Sequence, residues 1–354
     1  MKRAAPLAAL TLFALALRVL PWLANLPLHH DEALYGTWAR AIADGSDPLL
    51  LAPWVDKPPL VLYLLASAIR TTGVSEMSLR LPGMLAGTFT VPATYLLARR
   101  LYGRGPGWAA AVLVALSPFA ILFAPTAFTD GWLALFVTLA VAAAVGQRPG
   151  WAGVLLGLAA ASKQQGVLFA PLVLALVLAS VRPSAGVLSG ETEESAAEGR
   201  RLPDILQAVS AAVLGFLVVF GPVTWWDSLR WHNRPSYWDQ SLQTYGGIVL
   251  LPAAEWPGRA VQWAEQAGRL YGFPLLSGLV LAGAAATFAG AWSRLIRPHP
   301  STALPAVAPL RMPDPADTSS PAVAPLRMPD PGGASSSAVA PLRMPDPADT
   351  SSPA

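Results

Sequence analysis

The chain has 354 residues, of which 54% are hydrophobic and 13% charged, with no cysteine and a net charge of +3. Soluble domains carry about 25% charged residues, so this composition excludes an ordinary soluble domain and points to a bilayer, while the missing cysteines exclude disulfides and thiolate metal sites. The basic residues are scattered between apolar segments rather than gathered in a stripe, which argues against nucleic acid as a partner and for charges that set topology.

Ala4 to Leu23 follows the basic start Met1, Lys2, Arg3 and is long enough, at about 1.5 Å per residue, to cross the roughly 30 Å of a hydrocarbon core. Lys2 and Arg3 favour the cytoplasmic side, so the helix is predicted to run outward. A cleaved signal peptide is the competing reading; the length of the run and the lack of a small-x-small cleavage site disfavour it. Residues 26 to 45, "LPLHHDEALYGTWARAIADG", then lie outside. Leu34, Trp38, Ala41 and Ile42 recur at i, i+4, i+7 and i+8, the stripe of an amphipathic helix that can lie in the membrane interface. Its first turn carries Asp31 and Glu32, which either project toward the outer helix ends or simply cap the turn and complement its dipole.

"DKPPL" follows at 56 to 60, its prolines suited to opening a second short helix with Asp56 and Lys57 on the watery side. The apolar run Leu60 to Ile69 covers about 15 Å as a helix, too short to span. Laying it along the outer surface places Arg99, Arg100 and Arg104 inside, as positive charge prefers. Further spanning segments are predicted at Leu81 to Ala98, with Arg80 at its mouth, then Trp108 to Ala124, and Gly131 to Gly146, with Thr129 and Asp130 at its outer end. "ASKQQG" divides two more, Trp151 to Ser162 and Val167 to Val181; two crossings put Arg182, Arg200 and Arg201 inside and Lys163 near the outer surface. Ile205 to Trp226 and Phe273 to Trp292 complete about eight spanning helices. The predicted fold is an all-α polytopic transmembrane bundle with interfacial helices in its first external loop, 24 to 80. A polar cytoplasmic loop occupies 182 to 204 and a second external loop 227 to 272. Taken singly, a border lysine usually snorkels and a border arginine usually anchors.

The second external loop is rich in aromatic side chains: Trp225, Trp226, Trp231, Tyr237, Trp238 and Tyr245 cluster near the interface, where membrane anchoring outweighs sugar stacking as an explanation. From 306 onward "AVAPLRMPDPADTSSP" returns with a period of sixteen, three copies in all. So many prolines forbid regular structure and too few apolar residues remain for a core, so residues 299 to 354 are expected to be a disordered tail following a membrane module at 1 to 298.

The order "DEALY", "DKPPLVLYL", "RLPGMLAG", "TDGWLALF", "ASKQQGVLFAP" resembles the N-terminal module of polytopic glycosyltransferases of the C superfamily, family 39 type, which includes protein O-mannosyltransferases and lipid A aminoarabinose transferases. The similarity runs from Arg18 to Pro171, and "RPSYWDQSLQTYGG" fits bacterial members. The resemblance implies transfer, with inversion, from a polyprenyl-phosphate sugar to a hydroxyl of a lipid, glycan or protein at the extracytoplasmic face of the inner (plasma) membrane. It makes Asp31 the general base and Glu32 its neighbour at the catalytic centre. Lys57, Arg80 and Lys163 become the cations for the donor phosphate, although Gln164 and Gln165 stand where relatives often have glycine directly after the lysine. Tyr35 and Asp130 are the substrate-binding candidates. Some relatives hold a divalent metal, for which Asp56 and His232, and less directly His29 and His30, are the candidate ligands. Relatives commonly continue with further spanning helices where this chain turns into repeats, so a naturally short form or a truncated frame is expected. The rival functions are a transporter or flippase of polyprenyl-linked lipids, disfavoured by the lack of internal repeats and midplane charges beyond Arg18 and Lys163, and an inactive scaffold.

Overall fold

A computed structural model describes residues 5–24, 27–181, 202–246, 251–268, 278–279 and 282–283. Most of the expected segment Phe273 to Trp292, most of the 182–204 loop and the repeat tail lie outside the described residues. Those described form α1 (Ala5–Leu23), α2 (His30–Asp44), α3 (Pro59–Thr72), α4 (Glu76–Tyr102), α5 (Arg104–Leu116), α6 (Pro118–Phe123), α7 (Asp130–Val145) and α8 (Pro149–Ser162). A 3₁₀ segment, Gln164–Phe169, leads into α9 (Ala170–Ser180), followed by α10 (Leu202–Ser228), α11 (Tyr237–Tyr245) and α12 (Trp256–Gly268). The described residues form an all-helical membrane bundle, in keeping with the apolar composition. Three of the described helices, α1, α4 and α10, are long and apolar enough to cross a membrane. The other apolar helices expected to span are shorter.

Two expectations change in detail. The run Trp108 to Ala124 is not one helix, because Pro118 has no N–H to continue α5; Ser117 ends α5 and its hydroxyl accepts from the Ala120 N–H to start α6. The stripe assigned to α2 is also rotated. Glu32, Tyr35, Trp38, Ala39 and Ile42 are buried, whereas Leu34 is 44% exposed. The polar groups Glu32 and Tyr35 are drawn inward by partners elsewhere in the chain, and an apolar count alone does not register them.

Core packing follows two styles. Around residues 24–80, Trp38, Leu62, Leu65, Trp226 and Tyr237 form a cluster of large side chains joining α2, α3, α10 and α11. Loop carbonyls there are tied down over long sequence separations: Trp226 Nε1 donates to Leu49 O at 2.9 Å and Arg230 Nε to Leu50 O at 2.9 Å. Between α8 and α10 the contact is made by absence of side chains. A Cβ on Gly153 would stand 1.8 Å from Ala212 O and one on Gly215 2.2 Å from Gly150 O, so the two backbones touch. Small residues at such a crossing are how helices associate without a hydrophobic driving force.

Candidate active site

Asp31, Tyr35, Lys57, Asp130 and Lys163, scattered over more than a hundred residues, line one cavity of about 850 Å³. The starts of α2 and α7, the approach to α3 and the end of α8 therefore meet at one rim. From there the wall follows α7 from Asp130 to Thr138, about 12 Å at helical rise, and is completed by apolar side chains such as Val114, Phe119, Phe123 and Val137.

Neighbouring acids on α2 take different stations. Glu32, 3% exposed, accepts from the His29 N–H at 2.9 Å, closing a capping box, and from the Ala127 N–H at 3.0 Å, and faces Arg80 Nε at 3.8 Å. Both carboxylate oxygens are engaged, and Glu32 is not part of the cavity wall. Asp31 is part of that wall, its backbone N–H received by His29 Nδ1 at 3.2 Å, so its carboxylate remains on the cavity side. Of the two expected acids, Asp31 lines the cavity, while Glu32, one helical step on, clasps α2 to the loop before α7.

Arg80, expected at the donor phosphate, is held between two acids. It is buried against Glu32 and against Glu76, whose Oε2 lies 3.3 Å from Nη1, and it does not line the cavity. Lys57 does. Although only 3% exposed, it places Nζ 2.5 Å from Asp56 Oδ2 and 2.7 Å from the Tyr245 hydroxyl, with the Tyr245 ring centroid at 4.6 Å and that of Tyr35 at 5.9 Å. The aromatic faces and the carboxylate together hold an ammonium away from bulk water. Tyr35 is pushed well above the ordinary phenol range, first by burial and then by the Asp31 carboxylate, and so remains a neutral hydroxyl. Across the cavity Lys163 Nζ meets Asp130 Oδ1 at 2.6 Å.

The candidate metal ligands are dispersed in their roles. Asp56 is committed to Lys57, His232 is exposed and absent from the cavity wall, and His29 and His30 are exposed with His29 spent on the α2 cap. Among the described residues no three His, Cys, Asp or Glu side chains assemble as ligands. Among the described loop aromatics Tyr245 reaches the cavity; Trp226 and Tyr237 are core residues, and Trp225 and Trp231 are exposed.

Three participants were not singled out from sequence as site residues. Tyr245 was visible only as one aromatic among six. Gln164 and Gln165, in the cavity wall, appeared only as a departure from the lysine–glycine pattern. Arg18, fully buried in α1, also contributes to the wall; its Nη1 donates to Ala14 O at 3.0 Å and its Nη2 to Val114 O at 3.3 Å, the carbonyl that Pro118 leaves without a helical partner.

With this geometry in view, residues 56–187 match the family model of dolichyl-phosphate-mannose-protein mannosyltransferase. The match takes in a little over a third of the chain and marks this segment as similar to that family. The match begins at Asp56, so the matched segment includes Lys57, Asp130 and Lys163, while Asp31 precedes it. The chain also aligns with the crystal structure of the Archaeoglobus fulgidus oligosaccharyltransferase tethered to an acceptor peptide containing the NVT sequon, at 16% identity and a TM-score of 0.41. That alignment covers 75% of this chain and 39% of the archaeal one, so the chain spans well under half the length of that protein. Among curated proteins no relative matches.

Proposed function

We propose that this protein transfers a sugar from polyprenyl phosphate to a hydroxyl acceptor at the extracytoplasmic face of the inner membrane, residues 1 to 298 forming the membrane module. The observation that carries the reading is the meeting of Asp31, Lys57, Asp130 and Lys163 on one cavity whose remaining wall is largely apolar. A charged rim above an apolar channel suits a ligand with a phosphorylated sugar at one end and a hydrocarbon at the other.

In this reading the acceptor O–H bond breaks, its proton passing to the Asp31 carboxylate as the oxygen forms a bond to the anomeric carbon from the face opposite the phosphate. The bond from that carbon to the phosphate oxygen breaks with its electron pair, and polyprenyl phosphate leaves. Negative charge grows on the departing oxygen. Lys57, fixed by Asp56 and Tyr245 before the reaction, stabilises that charge more than it stabilises the intact donor. Asp130 and Lys163, paired at 2.6 Å, hold the sugar or its acceptor at the opposite wall, and the neutral Tyr35 hydroxyl contributes a further hydrogen bond. Acceptors on lipid, glycan or protein all supply the required hydroxyl.

The test uses full-length protein in lipid nanodiscs with undecaprenyl-phosphate mannose, glucose, galactose and arabinose, scoring sugar transfer and slow release of free sugar. Transfer or donor hydrolysis with at least one donor, lost in Asp31→Asn while the melting curve is kept, supports the reading. Inertness toward all four, or undiminished turnover in Asp31→Asn, refutes it.

A further inference from the structure

Where the family pattern leads the eye from lysine straight to glycine, this chain inserts two amides. Gly166 N–H donates to Lys163 O at 2.8 Å, closing a tight turn whose two central residues are Gln164 and Gln165. Gly166 anchors it, because a Cβ there would stand 2.4 Å from Ala160 N and 2.5 Å from Ala159 C. The turn is thus pressed against the end of α8, and its two tip side chains are held at the cavity wall.

Gln164 is 7% exposed. Its Nε2 donates to the Ser241 hydroxyl of α11 and to Asp56 O at 3.4 Å. A carbonyl can only accept, so the Asp56 contact fixes which end of the amide is nitrogen and sends Oε1 the other way. That Oε1 has no hydrogen-bond partner, and neither has Oε1 of Gln165. Both are shielded from water. A buried amide oxygen without a donor is costly, and two on adjacent residues of one cavity wall call for a ligand rich in donors. The terminal amide torsion is soft, so a small turn presents each oxygen to an incoming hydroxyl.

We infer that Gln164 and Gln165 read the hydroxyl groups of the donor sugar and so set which sugar is accepted. This rests on the glycosyl-transfer reading: Lys57 meets the donor phosphate, and Gln164 hydrogen-bonds the backbone of Asp56, the residue before it. The ring attached to that phosphate is therefore the nearest polyhydroxyl group. The amides are acceptors without charge, suited to neutral hydroxyls and not to the phosphate itself.

The test measures binding, separately from turnover, in nanodisc-embedded full-length protein. Affinities for bare undecaprenyl phosphate and for its mannose, glucose, galactose and arabinose derivatives are compared in wild type, Gln164→Leu/Gln165→Leu, Gln165→Leu alone and Ser241→Ala. Wild type is expected to bind at least one glycosylated lipid about tenfold more tightly than the bare phosphate. The double variant should lose that preference and bind the bare phosphate as before, Gln165→Leu should lose part of it, and Ser241→Ala, which removes one hydrogen bond to Gln164 Nε2 and leaves both amide oxygens in place, should keep it. The inference is overturned if wild type shows no sugar preference, if both leucine variants keep it, if the bare phosphate is lost equally in the double variant, or if Ser241→Ala matches the double variant. A sugar preference that vanishes in the double variant of a protein that never transfers sugar leaves this inference standing and removes the proposed reaction.

Discussion

The cavity rim and the α8–α10 crossing solve opposite problems with the same chain. At the rim, charged and polar groups from distant segments are fixed by partners: Lys57 by Asp56 and Tyr245, Lys163 by Asp130, Glu32 by two backbone N–H groups. At the crossing nothing polar takes part; Gly153 and Gly215 bring two backbones into contact. Chemistry therefore depends on the identity of side chains at the rim, and assembly on their absence in the bundle. A substitution should act on one property and spare the other according to which region it enters.

The strongest way to break the bundle is Gly153→Leu. A Cβ there already falls 1.8 Å from Ala212 O, and backbone cannot yield as a flexible side chain can. We expect a loss of more than about 4 kcal/mol, read as failure to recover monodisperse protein by size-exclusion chromatography. Gly221 on the same α10, with nothing within 4 Å of its would-be Cβ, is the control, and Gly221→Ala should be recovered normally.

At the rim the largest effect belongs to Asp31→Asn. Removing a general base should cut sugar transfer by about a hundredfold to ten-thousandfold, with the melting temperature unchanged, because the side chain faces the cavity. Glu32→Gln reverses the pattern. It weakens the capping box and the bond to Ala127 N–H that fastens α2 to the loop before α7, so destabilisation of about 1–3 kcal/mol should appear in thermal unfolding. Two adjacent carboxylates would then separate catalysis from stability within one helical turn. Equal losses of stability in both variants would erase the distinction.

That pair also shows what sequence could and could not resolve. Motif order indicated that Asp31, Lys57, Asp130 and Lys163 should meet, since each is expected at the same-side end of an apolar segment and common sidedness would gather them. The helices were legible for the same reason: long apolar runs have few alternatives in a bilayer. The one-residue differences were not legible. Which of Asp31 and Glu32 turns inward depends on the Ala127 N–H, ninety-five residues away. Arg80 was assigned to phosphate from its place before "LP", yet the acids that hold it, Glu32 and Glu76, belong to two different helices. Gln164 is held in the cavity wall partly by Ser241, and no local pattern encodes a bond across seventy-seven positions.

The smallest effect sharpens the rim at its outer edge. Tyr245 is 58% exposed, at the end of α11, yet its hydroxyl lies 2.7 Å from Lys57 Nζ and its ring centroid 4.6 Å from the same atom. The two contacts separate by substitution. Tyr245→Phe keeps the ring and loses the hydroxyl, removing one hydrogen bond to a charged group at a partly exposed position; a loss of about 1 kcal/mol, near fivefold in affinity for polyprenyl phosphate, is expected. Tyr245→Leu also removes the aromatic face and should lose about as much again, since a cation–π contact at a partly exposed site contributes roughly 0.5–1 kcal/mol. Titration of nanodisc-embedded protein with undecaprenyl phosphate reads both steps. If phenylalanine costs nothing and leucine costs everything, the ring alone positions Lys57; if neither changes affinity, Asp56 is sufficient to hold the ammonium at the cavity and the end of α11 plays no part in binding the phosphate.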